Sequence, residues 1–165
     1  MIDILCRSVP ITSEILIQLQ DFSCGIVAMD DILHSQNLLA GLSENDMRAY
    51  FVYAPGGELI GFYVLDVIGL EIKDHDYDEF LDVVDIACLA VRKDYQRQGV
   101  GSAILKKIYD QAEQMNPNGL YLHVEALSFD DASYSAVPFY EKNGFVYIAP
   151  AGKDIIRMLY KMHSA

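Results

Sequence analysis

The sequence contains no tryptophan, only 3 cysteines and 5 prolines, and 12 basic residues against 24 acidic ones. Each scarcity excludes something. Cys6, Cys24 and Cys88 are odd in number, far apart and in no C-x-x-C pattern, which argues against a disulfide framework or a thiolate metal site and leaves buried free thiols. His34, His75 and His163 show no metal-ligand spacing, so no metal is expected. No apolar run approaches the roughly 18 residues needed to span a bilayer. The N-terminus, "MIDILCRSVP", carries Asp3 and no basic region ahead of a long apolar stretch, unlike a secretory signal. A cytoplasmic protein without membrane association is the expectation. The formal charge of −12 repels phosphate backbones and attracts polyamines, lysine tails and other cations, which disfavours nucleic acid as a partner.

What is present reads as one domain over residues 1–165, large enough to bury a single core. No repeat, low-complexity tract or linker interrupts it. "IDILCRS" predicts a first strand, and "TSEILIQLQ" a helix with Thr12 and Ser13 as cap candidates and Glu14 in its first turn. "IVAMDDILHSQNLL" spaces its apolar residues for a second helix. "RAYFVYA" and "LIGFYVLDVIG", separated by Pro55-Gly56-Gly57-Glu58, predict an antiparallel hairpin. An acidic loop follows, with Asp74, Asp76, Asp78, Glu79, Asp82 and Asp85 crowded around it, and "LDVVDIACLAV" predicts a central strand covered on both faces. A helix is expected from Val100 to Met115, stopped by Asn116-Pro117-Asn118-Gly119, then a strand at "LYLHVEA". A short helix through "VPFYEKN" ends at Gly144, and "FVYIA" and "DIIRMLYKM" flank a turn at Pro150-Ala151-Gly152-Lys153. The sum is a mixed α/β sheet with a strand, turn and helix unit at its centre.

That unit carries the chemistry. Gly99 and Gly101 stand where a helix begins, and free backbone N–H groups at a helix start hold phosphate well. A P-loop needs a lysine after its last glycine, but Gly101 is followed by Ser102 and Ala103. A dinucleotide-binding turn needs a third glycine three residues on, where this chain has Ile104.

A third pattern fits. Gln96-Arg97-Gln98-Gly99-Val100-Gly101, directly after "IACLAV", resembles the Q/R-x-x-G-x-G/A loop of the GNAT N-acetyltransferases. "SYSAVPFYEKNGF" resembles a second segment of that family, N-x-x-A-x-x-x-Y-x-K-x-G-F, matched by Ala136, Tyr140, Lys142, Gly144 and Phe145, with Ser133 in place of the asparagine. More loosely, "DFSCGIVAMDDIL" resembles a segment of a GNAT subgroup containing toxins that acetylate aminoacyl-tRNA. The resemblance implies the GNAT fold, a mixed, mostly antiparallel sheet flanked by helices, with a homodimer as a family-level expectation. It also implies acetyl-CoA as co-substrate. Its pyrophosphate would lie on main-chain amides from Gln96 to Ser102, with charge from Arg97 or Arg92, and its pantetheine arm along Leu89, Ala90 and Val91. Ser133 and Tyr140 would contact the same co-substrate.

The implied reaction is attack of an amine on a thioester. A lysine amine with pKa of about 10.4 costs roughly 4.6 kcal/mol to deprotonate at pH 7, an α-amine near 7.8 only about 1. Asp85 and Glu125 are the candidate bases, either acting through water. Tyr140 matches the family tyrosine that resembles a general acid for the leaving thiolate, and a main-chain N–H near Leu89 to Val91 would hold the oxyanion. His123, alternating with Leu122 and Val124, reads as a packed or surface histidine. The expected function is an N-acetyltransferase acting on a small-molecule or peptide amine, with a cationic acceptor drawn by the acidic segment 74 to 85. Toxin-like acetylation of aminoacyl-tRNA, and a non-catalytic acetyl-CoA-binding regulatory domain, are the alternatives.

Overall fold

The computed structural model describes residues 3–8, 13–34, 47–73, 78–119 and 121–162. Its elements run β1 (Leu5–Arg7), α1 (Ser13–Gln20), α2 (Val27–Leu33), β2 (Arg48–Tyr53), β3 (Leu59–Lys73), β4 (Asp78–Val91), a 3-10 turn at Lys93–Tyr95, α3 (Val100–Met115), β5 (Tyr121–Leu127), α4 (Val137–Lys142), β6 (Val146–Gly152) and β7 (Ile155–Lys161). The strands form a 7-stranded sheet in the order β1-β2-β3-β4-β5-β7-β6. The β1–β2, β2–β3, β5–β7 and β6–β7 pairs are antiparallel, and β4–β5 is parallel. A parallel pair needs a long crossover, which α3 supplies between β4 and β5.

The chain divides into two compact units, one of Met1–Leu65 with Cys88–Lys107, the other of Asp66–Ala87 with Ile108–Ala165. In the first, strict alternation along the β2–β3 hairpin sorts residues to two faces. Phe51 and Phe62 are cross-strand partners with ring centroids 5.2 Å apart, and they join Ile15 and Leu19 of α1, Phe22 and Cys24 in one buried cluster. On the other face Val52 pairs with Gly61. A Cβ on Gly61 would stand 3.1 Å from Ile104 Cδ1 and 3.3 Å from the Ala90 carbonyl oxygen, so the absent side chain lets α3 lie close on the sheet.

In the second unit β5 is paired on both sides, over three rungs with β4 (Val84 with Leu122, Asp85 with His123, Ile86 with Val124) and along its whole length with β7. Leu70, Val83 and Leu159 form a small core with Ile68, Leu81 and Tyr121 packed against it. An aromatic group ties α3 to the last hairpin: Tyr109 stacks on Tyr160 at 4.5 Å, and Phe145 lies 5.5 Å from Tyr160.

The acidic segment and the last hairpin differ from the sequence reading. The acidic segment does not wait until Leu81 to become a strand; β4 begins at Asp78 and lies beside β3 in the sheet. Asp74, His75 and Asp76 lie outside the described residues, as do Thr12, Leu38, Leu39 and His163. The last hairpin turns at Lys153 and Asp154 rather than at Pro150 to Lys153. Pro150 sits within β6, an edge strand where its missing N–H can be spared, and the register shifts between Pro150 and Gly152.

Candidate active site

The glycine turn folds as a stapled loop. The side-chain Nε2 of Gln96 donates to the carbonyls of Cys24 at 2.6 Å and of Val91 at 2.8 Å, fixing the loop to the end of β4 and to the chain ahead of α2. The Gln98 amide donates to the Asp94 carbonyl at 3.0 Å. Held this way, Arg97 adopts φ 61 and Gly99 φ 82. The left-handed region costs a non-glycine residue about 1–2 kcal/mol, so Arg97 is strained, and strain of this kind collects at functional sites. Left-handed residues recurring along a loop turn its amides inward into a concave nest that suits an anion.

Gly99 begins the helix: the Ala103 N–H donates to its carbonyl at 3.0 Å. The amides of Val100, Gly101 and Ser102 precede that first intrahelical bond, at the positive end of the α3 dipole. A Cβ on Gly99 would meet nothing within 4 Å, so the space above it is open. Val100 is buried and its side chain belongs to the core. Arg97 is exposed and makes no ion pair among the described residues. Amides, open space and a free guanidinium together fit a diphosphate. Arg92, the other cation considered from sequence, is spent elsewhere: it pairs with Glu58 and, at 2.8 Å, with Asp94, while the Tyr95 hydroxyl donates to Glu58. The Tyr95 hydroxyl and then the Arg92 guanidinium hold the Glu58 carboxyl below its usual range.

Leu89, Ala90 and Val91 form the last turns of β4, Ala90 buried and its neighbours half-buried. The β4–β5 ladder ends earlier, at Ile86 and Val124.

In the second unit Tyr140 is buried on α4, with Phe139 and Phe145 edge-on to its ring at 5.0 and 5.2 Å. α4 begins at Val137, with Pro138 in its first turn, and the Ser135 hydroxyl accepts the Val137 N–H at 3.2 Å. Ser133, which replaces the family asparagine, is held locally: its N–H donates to Asp131 Oδ1 at 2.9 Å. The same loop is anchored to the tip of the last hairpin. The Ser128 N–H donates to the Asp154 carbonyl at 2.8 Å, and the Asp130 N–H to Asp154 Oδ1 at 2.9 Å.

Of the two carboxylates singled out from sequence, Glu125 is 47% exposed and lies 3.8 Å from Arg157. Asp85 is paired differently. Its Oδ1 is 2.8 Å from Nδ1 of His123, its partner across the β4–β5 rung. His123 is the residue the sequence reading passed over; alternation placed it in a strand, but nothing in the sequence gave the register that sets it beside Asp85.

Among the described residues no group of three or more His, Cys, Asp and Glu side chains is arranged to hold a metal ion, and no helix is long and apolar enough to cross a membrane.

Residues 46–147 match the family model of the acetyltransferase (GNAT) domain. The chain is 37% identical over 65 residues to [ribosomal protein bS18]-alanine N-acetyltransferase of Escherichia coli (strain K12), a stretch that is 39% of this chain and 40% of that enzyme. The fold is similar to the crystal structure of AtaTR bound with AcCoA, at TM-score 0.72 and 21% identity, covering 95% of this chain and 94% of that one. It is also similar to AtaT complexed with acetyl-methionyl-tRNAfMet, at TM-score 0.68 and 20% identity, covering 94% of each.

Proposed function

This chain belongs to the GNAT acetyltransferase family, and from that premise we propose that it transfers the acetyl group of acetyl-CoA to a primary amine, the acceptor being the α-amine of a peptide or small molecule. The observation that carries the reading is the stapled loop, with Arg97 at φ 61 and Gly99 at φ 82 under open space. The co-substrate supplies an activated acyl thioester. In this reading the amides from Gly99 to Ser102 and the Arg97 guanidinium bind its diphosphate, the main chain at Leu89, Ala90 and Val91 takes the pantetheine arm, and the Tyr140 hydroxyl donates to the departing sulfur. Gln96 serves by holding the loop, since both its amide hydrogens are committed. Ser133 lies on the anchored loop ahead of α4 and is a lesser contact.

An α-amine is favoured because the bacterial relative acts on an alanine and because such an amine loses its proton cheaply, at about 1 kcal/mol at pH 7. The excess of acidic residues favours an acceptor with further positive charge. The test is release of free thiol from acetyl-CoA with a panel of α-amines, polyamines and lysine peptides. Turnover on α-amines supports the proposal; tight acetyl-CoA binding with no turnover on any acceptor leaves the regulatory-domain reading instead.

A second reading, acetylation of aminoacyl-tRNA, is supported by the "DFSCG" segment and by the fold shared with AtaT. The charge of −12 opposes it. Growth arrest on expression that Tyr140→Phe relieves would favour it.

A further inference from the structure

His123 is the buried polar residue among those described, at 1% exposure. Its Nδ1 lies 2.8 Å from Asp85 Oδ1. An ionised carboxylate only accepts, so Nδ1 carries the hydrogen and a neutral ring keeps its lone pair on Nε2. That nitrogen is buried and has no hydrogen-bond partner among the described residues. A histidine kept for packing satisfies both nitrogens or exposes one, because an orphaned polar atom in the interior forfeits its hydration. One nitrogen locked to a carboxylate and the other bare is instead the arrangement of a base oriented by an acid.

The Asp85–His123 rung is next to the last of the β4–β5 ladder, and β4 then continues into Leu89, Ala90 and Val91, the stretch assigned to the thioester arm. The other candidate, Glu125, is half exposed and beside Arg157, which satisfies its charge without any partner in the interior.

Resting on the acetyltransferase reading, the geometry points to His123 Nε2 as the proton acceptor of the reaction, reached through one water, with Asp85 as the residue that positions it. As the amine nitrogen bonds to the acyl carbon, its proton passes through the water to Nε2. The carbon–sulfur bond breaks, and sulfur takes the Tyr140 hydroxyl proton. The imidazolium then returns a proton to solvent and the phenolate takes one up, so the chain ends as it began. Asp85 keeps its hydrogen bond to Nδ1–H and so stabilises the imidazolium. The ionisable groups sharing the ring's face are Asp85 on β4, Tyr121 and Glu125 on β5, and Arg157 and Lys161 at the opposing positions of β7.

The test combines kinetics with a readout that needs no turnover. In His123→Gln, acetyl-CoA affinity by calorimetry stays within about twofold, while kcat at pH 7 falls on the order of 10²–10³. The deficit narrows as pH rises toward the acceptor's own pKa, and imidazole restores turnover in His123→Ala. Asp85→Asn keeps acetyl-CoA affinity and loses kcat as well. Nitrogen NMR of the wild-type ring at neutral or higher pH shows hydrogen on Nδ1 and none on Nε2, a measurement that stands even where a variant fails to fold. Equal rates for His123→Gln and wild type, a loss that neither pH nor imidazole relieves, or a ring protonated on Nε2 alone would overturn the assignment. A wild-type chain that releases no thiol with any amine overturns the acetyltransferase reading itself, an outcome distinct from an active enzyme indifferent to His123.

Discussion

Gln96 and Val91 are joined by a hydrogen bond of 2.8 Å from the Gln96 side-chain amide to the Val91 carbonyl, and the same nitrogen reaches the Cys24 carbonyl at 2.6 Å. The motif glutamine is therefore a structural staple. Gln96→Ala releases both carbonyls and lets the loop relax from its left-handed turn. At about 1 kcal/mol per hydrogen bond, acetyl-CoA affinity is expected to fall roughly tenfold or more, measured by titration calorimetry, with a smaller change in kcat. Unchanged affinity would mean that the loop keeps its shape without the staple.

Gly99→Ala tests the loop from the other side. At φ 82 an alanine is strained by about 1–2 kcal/mol although none of the described residues comes within 4 Å of its Cβ. Melting temperature drops modestly, but acetyl-CoA affinity drops further, because the methyl group occupies the space the diphosphate needs. Equal losses in the two measurements would remove Gly99 from the binding surface.

Tyr140→Phe keeps the ring that packs on Phe139 and Phe145 and deletes the hydroxyl. The expected result is a fall in kcat of about 10², with acetyl-CoA affinity nearly intact. A fall in affinity with kcat preserved would assign the residue to binding.

Arg92 draws Asp94 below the usual carboxylate range, and Tyr95 followed by Arg92 does the same to Glu58. Groups depressed in the folded state contribute stability above their ordinary values, 4.5 for Glu58 and 3.8 for Asp94, and lose it as pH falls below them. Arg92→Met should accordingly melt earlier than wild type at pH 7, with the two curves converging in acid. The pairs are exposed, so added salt also narrows the gap. A difference that persists unchanged in acid would trace the effect to packing.

Burial pushes the Cys24 thiol up to about 11 and the Cys88 thiol up to about 12. At pH 8 the thiolate of Cys24 is then about one part in a thousand. Both should resist a disulfide reagent in the native protein and react at once in denaturant, as followed by mass spectrometry of the labelled chain. Prompt native labelling of either would contradict their enclosure.

The parts of this site that were legible in the sequence are those made by neighbours in the chain. Gly99 and Gly101 at a helix start, the helix from Val100 to Met115 and the helix carrying Tyr140 depend on local spacing, and spacing is what a sequence displays. Partners far apart were not legible. Gln96 meets Cys24 across 72 positions, and Arg92 meets Glu58 across 34. His123 meets Asp85 across 38, through a parallel register that only the packed crossover helix decides. The early start of β4 was hidden for a similar reason: its acids read as a loop until a neighbouring strand gives them a ladder.

The tip of the last hairpin carries a consequence of its own. Asp154 sits at φ 62 and receives both the Ser128 and the Asp130 amides, so that two-residue turn is clamped to the loop ahead of α4. In the β2–β3 turn the last residue, Glu58, is the one held, by Arg92 and Tyr95, while a methyl group on Gly56 or Gly57 would meet nothing among the described residues. Length changes should therefore accumulate at one reversal of the chain and be purged at the other, and a peptide tag spliced between Gly56 and Gly57 should leave turnover intact where the same tag after Lys153 abolishes it.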